Sequence, residues 1–177
     1  VVLSPACNSW TMAWSACCRN NTVTNVSPNG TYIYSTLYSG VDSCNSSPYF
    51  TSAPVPFVCL NQPVNYNFGV IEPDGDSIVY FLSPGFEAAT TLVTYLGAYT
   101  YTQPIAGANM VMNSSNGQLT FTPTVIGIYV VVVRVEEYDR ATGVIKGTTI
   151  RDIQVVVQNC TNNSPVINTG GIYNYSG

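Results

Sequence analysis

Read for alternation of apolar and polar positions, the chain predicts strands throughout and no helix. Between residues 48 and 160 the candidate strands are Pro56–Leu60, Val64–Val70, Ser77–Leu82, Gly117–Thr122, Gly127–Tyr138 and Val144–Gln158. Turn sequences separate them, among them Pro73-Asp74-Gly75-Asp76, Asn116-Gly117 and the stretch from Asp139 to Gly143. The last two runs form a long hairpin. Val130 to Val133 is continuously apolar, which predicts burial on both faces. Beyond it Arg134, Glu136 and Tyr138 alternate with Val135, which predicts an end that projects with a charged face. Two further runs, Ser9–Cys17 and Gly30–Tyr38, lie in the first 47 residues. Two or three strands cannot shield a core alone, so this segment must pack either on the following domain or on an upstream one. Residues 84–116 carry Tyr95, Tyr99 and Tyr101 in a Pro/Gly/Ala-rich setting and predict an insertion or short extra strands.

The fold class that follows is all-β, an Ig-like or cadherin-like β-sandwich with an additional N-terminal β segment. Residues 48–160 are expected to be the complete sandwich, and 1–47 the C-terminal part of an upstream β domain. Residues 161–177 are expected to be a linker or the start of a next module. A loose repeat supports that division. Cys44-Asn-Ser-Ser-Pro48 and Cys160-Thr-Asn-Asn-Ser-Pro165 each precede an apolar pair, one sandwich length apart.

Composition narrows the function classes. Charged residues make up 8 % of the chain, with a net charge of −4 and a single lysine, Lys146, so no basic surface exists to neutralise phosphates and nucleic acid is excluded as a partner. No apolar run is long enough to cross a bilayer as a helix. With no histidine, no nucleophile elbow and no phosphate loop, nothing points to an enzyme. Glu136 and Glu137 are adjacent, so on a strand they face opposite ways and cannot act together as a catalytic pair. An internal Lys–Asn crosslink would have to use Lys146, whose place near the hairpin turn argues against it.

Six cysteines without histidine read as disulfides made in an oxidising compartment, and hence as a secreted, extracellular protein. Cys59 and Cys160 bracket the larger β region and are expected to pair. Cys7, Cys17, Cys18 and Cys44 then form two bridges, with adjacent Cys17 and Cys18 on opposite strand faces and so bonded to different partners. Glu72, Asp74 and Asp76 surround a Gly turn and are the candidate ligands for Ca²⁺, the one candidate cofactor. Glu136, Glu137 and Asp139 are possible contributors to the same site. The Tyr-rich stretch offers surface glycans as an alternative ligand.

Several segments resemble a known family. Cys7-x-x-Trp10, Cys17-Cys18-Arg19-Asn20, Thr24-Asn25, Cys44-Asn-Ser-Ser-Pro48 and the stretch from Glu72 to Tyr80 are similar to the extracellular modules of very large Bacteroidetes-type surface proteins. Arg134 to Tyr138 and Arg151-Asp152-Ile153-Gln154 resemble their closing hairpin. The resemblance implies a cadherin-like or PKD-like module of a cell-surface adhesin or filament, exported by type IX secretion and associated with gliding motility. Its expected partners are neighbouring β modules of the same or an adjacent chain, with strand addition between subunits as the route to a filament. Glu72 stands where the family pattern has Asp.

Overall fold

The computed structural model describes residues 7–40, 44–53 and 57–161. Among them are thirteen strands and no helix: β1 (Trp10–Ala16), β2 (Thr31–Leu37), β3 (Tyr49–Phe50), β4 (Phe57–Cys59), β5 (Val64–Asn67), β6 (Val70–Ile71), β7 (Ser77–Leu82), β8 (Phe86–Ala88), β9 (Thr91–Leu92), β10 (Val111–Met112), β11 (Gln118–Phe121), β12 (Gly127–Tyr138) and β13 (Ile145–Gln158). The main sheet runs β7-β12-β13-β2-β8-β9, with β1 added to β2 and β4 added in parallel to the end of β13. Two smaller sheets, β10-β11-β5 and β3-β6, complete the molecule. The protein is an all-β sandwich.

The core follows from period-2 alternation. Tyr129, Val131, Val133 and Val135 of β12 share one face and pack with Val155 and Val157 of β13, Tyr80 of β7, and Tyr66, Leu119 and Phe121 of the small sheet. The opposite face of β12 carries Val130 and Val132, which pack against Val23, Val26 and Val93 in a second cluster. Both faces are therefore dry where the sequence is continuously apolar, as the run from Val130 to Val133 predicts. Burying each of those valines stabilises by about 1.5–3 kcal/mol in area bookkeeping.

The other end of the hairpin corrects an expectation. It does not project with a charged face. β7 pairs with β12 from Val133 to Tyr138, and β2 pairs with β13 from Gly147 to Thr149, so the end is flanked on both edges. Glu137 and Lys146 are consequently buried.

The N-terminal segment is a second correction. Its described part is built into this sandwich, not into an upstream domain. β2 lies in the main sheet, and residues 19–26 complete the edge of β12 that β7 does not reach. Thr24 N–H donates to the Ile128 carbonyl at 2.7 Å, and Thr24 Oγ1 accepts from Ile128 N–H at 3.1 Å. The fully buried Asn25 donates through Nδ2 to the Val130 carbonyl and accepts through Oδ1 from Val130 N–H, both at 2.8 Å. One side-chain amide thus satisfies a strand residue as a neighbouring strand would, which removes two buried unpaired groups. The expected linker at 161–177 lies, apart from Thr161, outside the described residues.

The disulfides answer differently in the two halves. Cys59 and Cys160 are bonded, as expected, across a separation of 101 residues. Cys17 and Cys18 are bonded to each other, so they cannot serve Cys7 and Cys44, both of which are exposed. The alternating-face argument holds only within a strand, and β1 ends at Ala16.

Candidate functional site

Three adjacent strands, β7, β12 and β13, bring charged side chains together at one end of the sheet. The register places Ile78 of β7 opposite Glu137 of β12, and Glu137 opposite Gly147 of β13. Beyond that pair the register shifts, because Tyr138 faces Ile145 and leaves Lys146 as the extra residue of a β-bulge. Bulges re-aim a side chain in this way. The Lys146 Nζ meets Asp76 Oδ2 at 2.5 Å, with both side chains nearly closed to solvent.

Asp76 is presented by the turn that precedes β7. Gly75 adopts φ +84°, a left-handed conformation that L side chains rarely take. The turn is tied by Glu72, whose Oε1 accepts from Asp74 N–H at 2.8 Å and whose Oε2 accepts from Asp76 N–H at 2.5 Å. Asp74 points elsewhere, and its Oδ2 accepts from Ser46 N–H at 2.5 Å on the exposed side.

Glu137 is completely buried. Its Oε2 accepts from Asn45 Nδ2 at 2.8 Å, while Oε1 has no hydrogen-bond partner. Gly147 makes room for this carboxyl, since a Cβ there would lie 2.7 Å from Oε2. Burial pushes the Glu137 carboxyl up to about 7, with the Asn45 hydrogen bond opposing, Glu72 and Asp76 adding, and Lys146 opposing. One carboxylate oxygen from each of Glu72, Asp76 and Glu137 lies within 4.8 Å of the others.

Of the residues expected to hold Ca²⁺, the fold therefore joins Glu72 and Asp76, brings in Glu137 from among the possible contributors and leaves out Asp74. Glu136 faces the other way, pairing with Arg134 at 3.0 Å and accepting from Tyr138 OH. Asp139 caps the hairpin turn through Thr142 and Ala141, and that hydrogen bonding holds its carboxyl below the usual carboxylate range. The three carboxyls converge closely enough to hold a cation, although other groups already engage them. Ca²⁺ wants six to eight oxygens. Here both Glu72 oxygens are taken by backbone N–H groups, and the Lys146 ammonium already supplies positive charge against Asp76.

Sequence reasoning missed Asn45 and, though it singled out Lys146, did not place it beside these acids. For Glu137 a signal was present: it continues the inward series Tyr129, Val131, Val133, Val135, so its parity alone puts it inside.

Of the tyrosines offered for glycans, Tyr101 is exposed and the other two are engaged in packing. Tyr99 stacks edge-on against Tyr129 at 5.9 Å between centroids, and Tyr95 packs against the second core cluster.

No family model matches the chain. A stretch of 129 residues, 68 % of the chain, is 30 % identical to the integrin beta-like protein A of Dictyostelium discoideum. The match spans 6 % of that protein's length. No described helix is long and apolar enough to cross a membrane.

Proposed function

We propose that the chain is a structural and adhesive module of a secreted bacterial cell-surface protein, one that spaces or presents binding regions. It has no enzymatic role in this reading. The observation that carries it is the Cys59–Cys160 disulfide. This bond joins Cys59, at the end of β4, to Cys160, just past the end of β13, and the two strands pair in parallel there, while β1, β2 and β3 lie outside the closed loop. Tension arriving along β4 passes through the disulfide into the segment after Cys160 and bypasses every strand between. A module wired in this way can stay folded while it transmits force between neighbours. The integrin-like name of the Dictyostelium relative is compatible with an adhesive setting.

The test is attachment of cells carrying the parent protein with Cys59→Ser and Cys160→Ser together. Attachment under flow should fall while static attachment and surface labelling persist. Equal retention under flow would contradict the load-bearing role.

A second reading, assembly into a filament by strand addition, rests on β1. Its one strand partner among the described residues is β2, and Met12 and Trp14 are 72 % and 58 % exposed on this edge strand. An unpaired apolar edge is a template for another strand. If sedimentation shows only monomers at high concentration, this reading fails.

A further inference from the structure

We propose that Lys146, Asp76 and Glu137 form an amide-making site, in which the Lys146 amine condenses with the Asp76 side chain while Glu137 relays the protons. The proposal goes beyond the load-bearing reading and stands without it. Its first support is contact. The Lys146 Nζ lies 2.5 Å from Asp76 Oδ2, inside a site closed to solvent. Reacting groups held in this way gain the large effective molarities of intramolecular reactions.

The second support is what surrounds the pair. A buried ion pair is a poor stabiliser, because both charges lose their hydration. Condensation removes both charges at once. Glu137 adds a third group that an ion pair does not need: a buried carboxyl, held at one oxygen by Asn45 and unpartnered at the other. Its carboxyl carries a proton near neutral pH. Gly147, directly opposite, keeps the space that this carboxyl occupies.

The step balances without any co-reactant. Nitrogen, having released a proton, uses its electron pair to form the Nζ–Cγ bond. The Cγ–O bond breaks, and its electron pair leaves with oxygen. Of the three ammonium protons, one stays on the amide nitrogen and two depart with the oxygen as water. Glu137, protonated at the outset, gives its proton to the leaving oxygen, takes one from nitrogen in its place and ends as it began. The amide ties β7 to β13 across β12, near the start of β13, whereas Cys160 ties the other end of that strand.

Intact mass of the reduced full chain tests this, together with peptide mapping. The expected mass is one water below the sequence, with a branched peptide joining the Asp76 and Lys146 segments. Lys146→Arg and Glu137→Ala should both show the full sequence mass. Asp76→Asn should instead lose one ammonia while keeping the branched peptide. That variant guards against the case in which Glu137→Ala fails to fold. The full sequence mass in folded wild type, after incubation at neutral pH, overturns the proposal. So does a lost water that maps to a succinimide at Asp74-Gly75 and survives Lys146→Arg.

Discussion

Two ionic sites are buried among the described residues of this sandwich, and they are built differently. At the first, Arg19 of the N-terminal segment reaches the main sheet and donates to the Gly30 carbonyl, to the Phe86 carbonyl at 3.2 Å and to the Asp152 carboxylate of β13. One cation meets one anion, carbonyls take up further N–H groups of the guanidinium, and its buried Nε is left without a partner. At the second, one lysine faces Asp76, with Glu72 and Glu137 close by, and a Glu137 oxygen is left without a partner. The first site is a stitch between chain segments. The second gathers three carboxyls beside one lysine, and burial, with the neighbouring Glu72 and Asp76 adding to it, pushes the Glu137 carboxyl up to about 7.

The largest effect should come from breaking the stitch. Arg19→Ala leaves Asp152 buried and unpaired and should cost about 3–5 kcal/mol in urea unfolding. The joint change Arg19→Met with Asp152→Leu should cost clearly less, because no charge is then stranded. If the two cost the same, Arg19 acts through packing alone.

The second site should reveal itself through pH. The carboxyl of Glu137 is raised from 4.5 to about 7 on folding, so the folded state holds a proton that the unfolded state has released. Stability from this group is therefore greatest below the unfolded value and falls as pH rises towards 7, by up to about 3 kcal/mol. The groups that face it are Asn45, Glu72, Asp76 and Lys146. Burial also raises the Asp152 carboxyl against the pull of Arg19, which adds a loss of the same sign. Thermal unfolding between pH 4.5 and 8 should show the decline in wild type and a weaker one in Glu137→Gln. An unchanged slope in that variant would show that Glu137 titrates normally.

A smaller effect is expected at Gly147. Gly147→Ala drives a methyl into the Glu137 carboxyl and should destabilise by about 1–3 kcal/mol, read from the unfolding midpoint. Smallest of all is Asp74→Ala, on the exposed side of the turn, where a change within about 0.5 kcal/mol is expected. Calorimetry with Ca²⁺ on wild type and Asp76→Ala sharpens the same contrast. The occupied ligand set predicts no heat from either protein, and heat from wild type alone would restore the metal reading.

How much of this was legible in the sequence depended on whether a strand carried its own pattern. β7 and β12 match their predicted bounds, Ser77–Leu82 and Gly127–Tyr138, because alternation and flanking turns define both ends. The short strands β8, β9 and β10 were foreseen only as an insertion or short extra strands somewhere in residues 84–116, without bounds. Two or three residues hold no period, and part of this region is fixed by side chains instead. Gln103, for example, bonds both the N–H and the carbonyl of Met110 at 3.1 Å. The role of residues 19–26 was hidden for a related reason. Arg19, Thr24 and Asn25 mend the edge of a distant strand, and such long-range pairing leaves no local signal. At the candidate site the Gly75 turn was legible, whereas the burial of Lys146 depends on a bulge that only the paired strand defines.

The central claim is that covalent ties carry load past the sandwich, and single-molecule extension tests it most directly. Pulled through its ends while oxidised, the chain should release none of the segment from Cys59 to Cys160, withholding about 340 Å at the usual reach per residue. After reduction, the stretch between Asp76 and Lys146 should still stay closed if the amide has formed, and only the flanks should extend. Release of the whole Cys59–Cys160 segment from the oxidised protein would contradict the account.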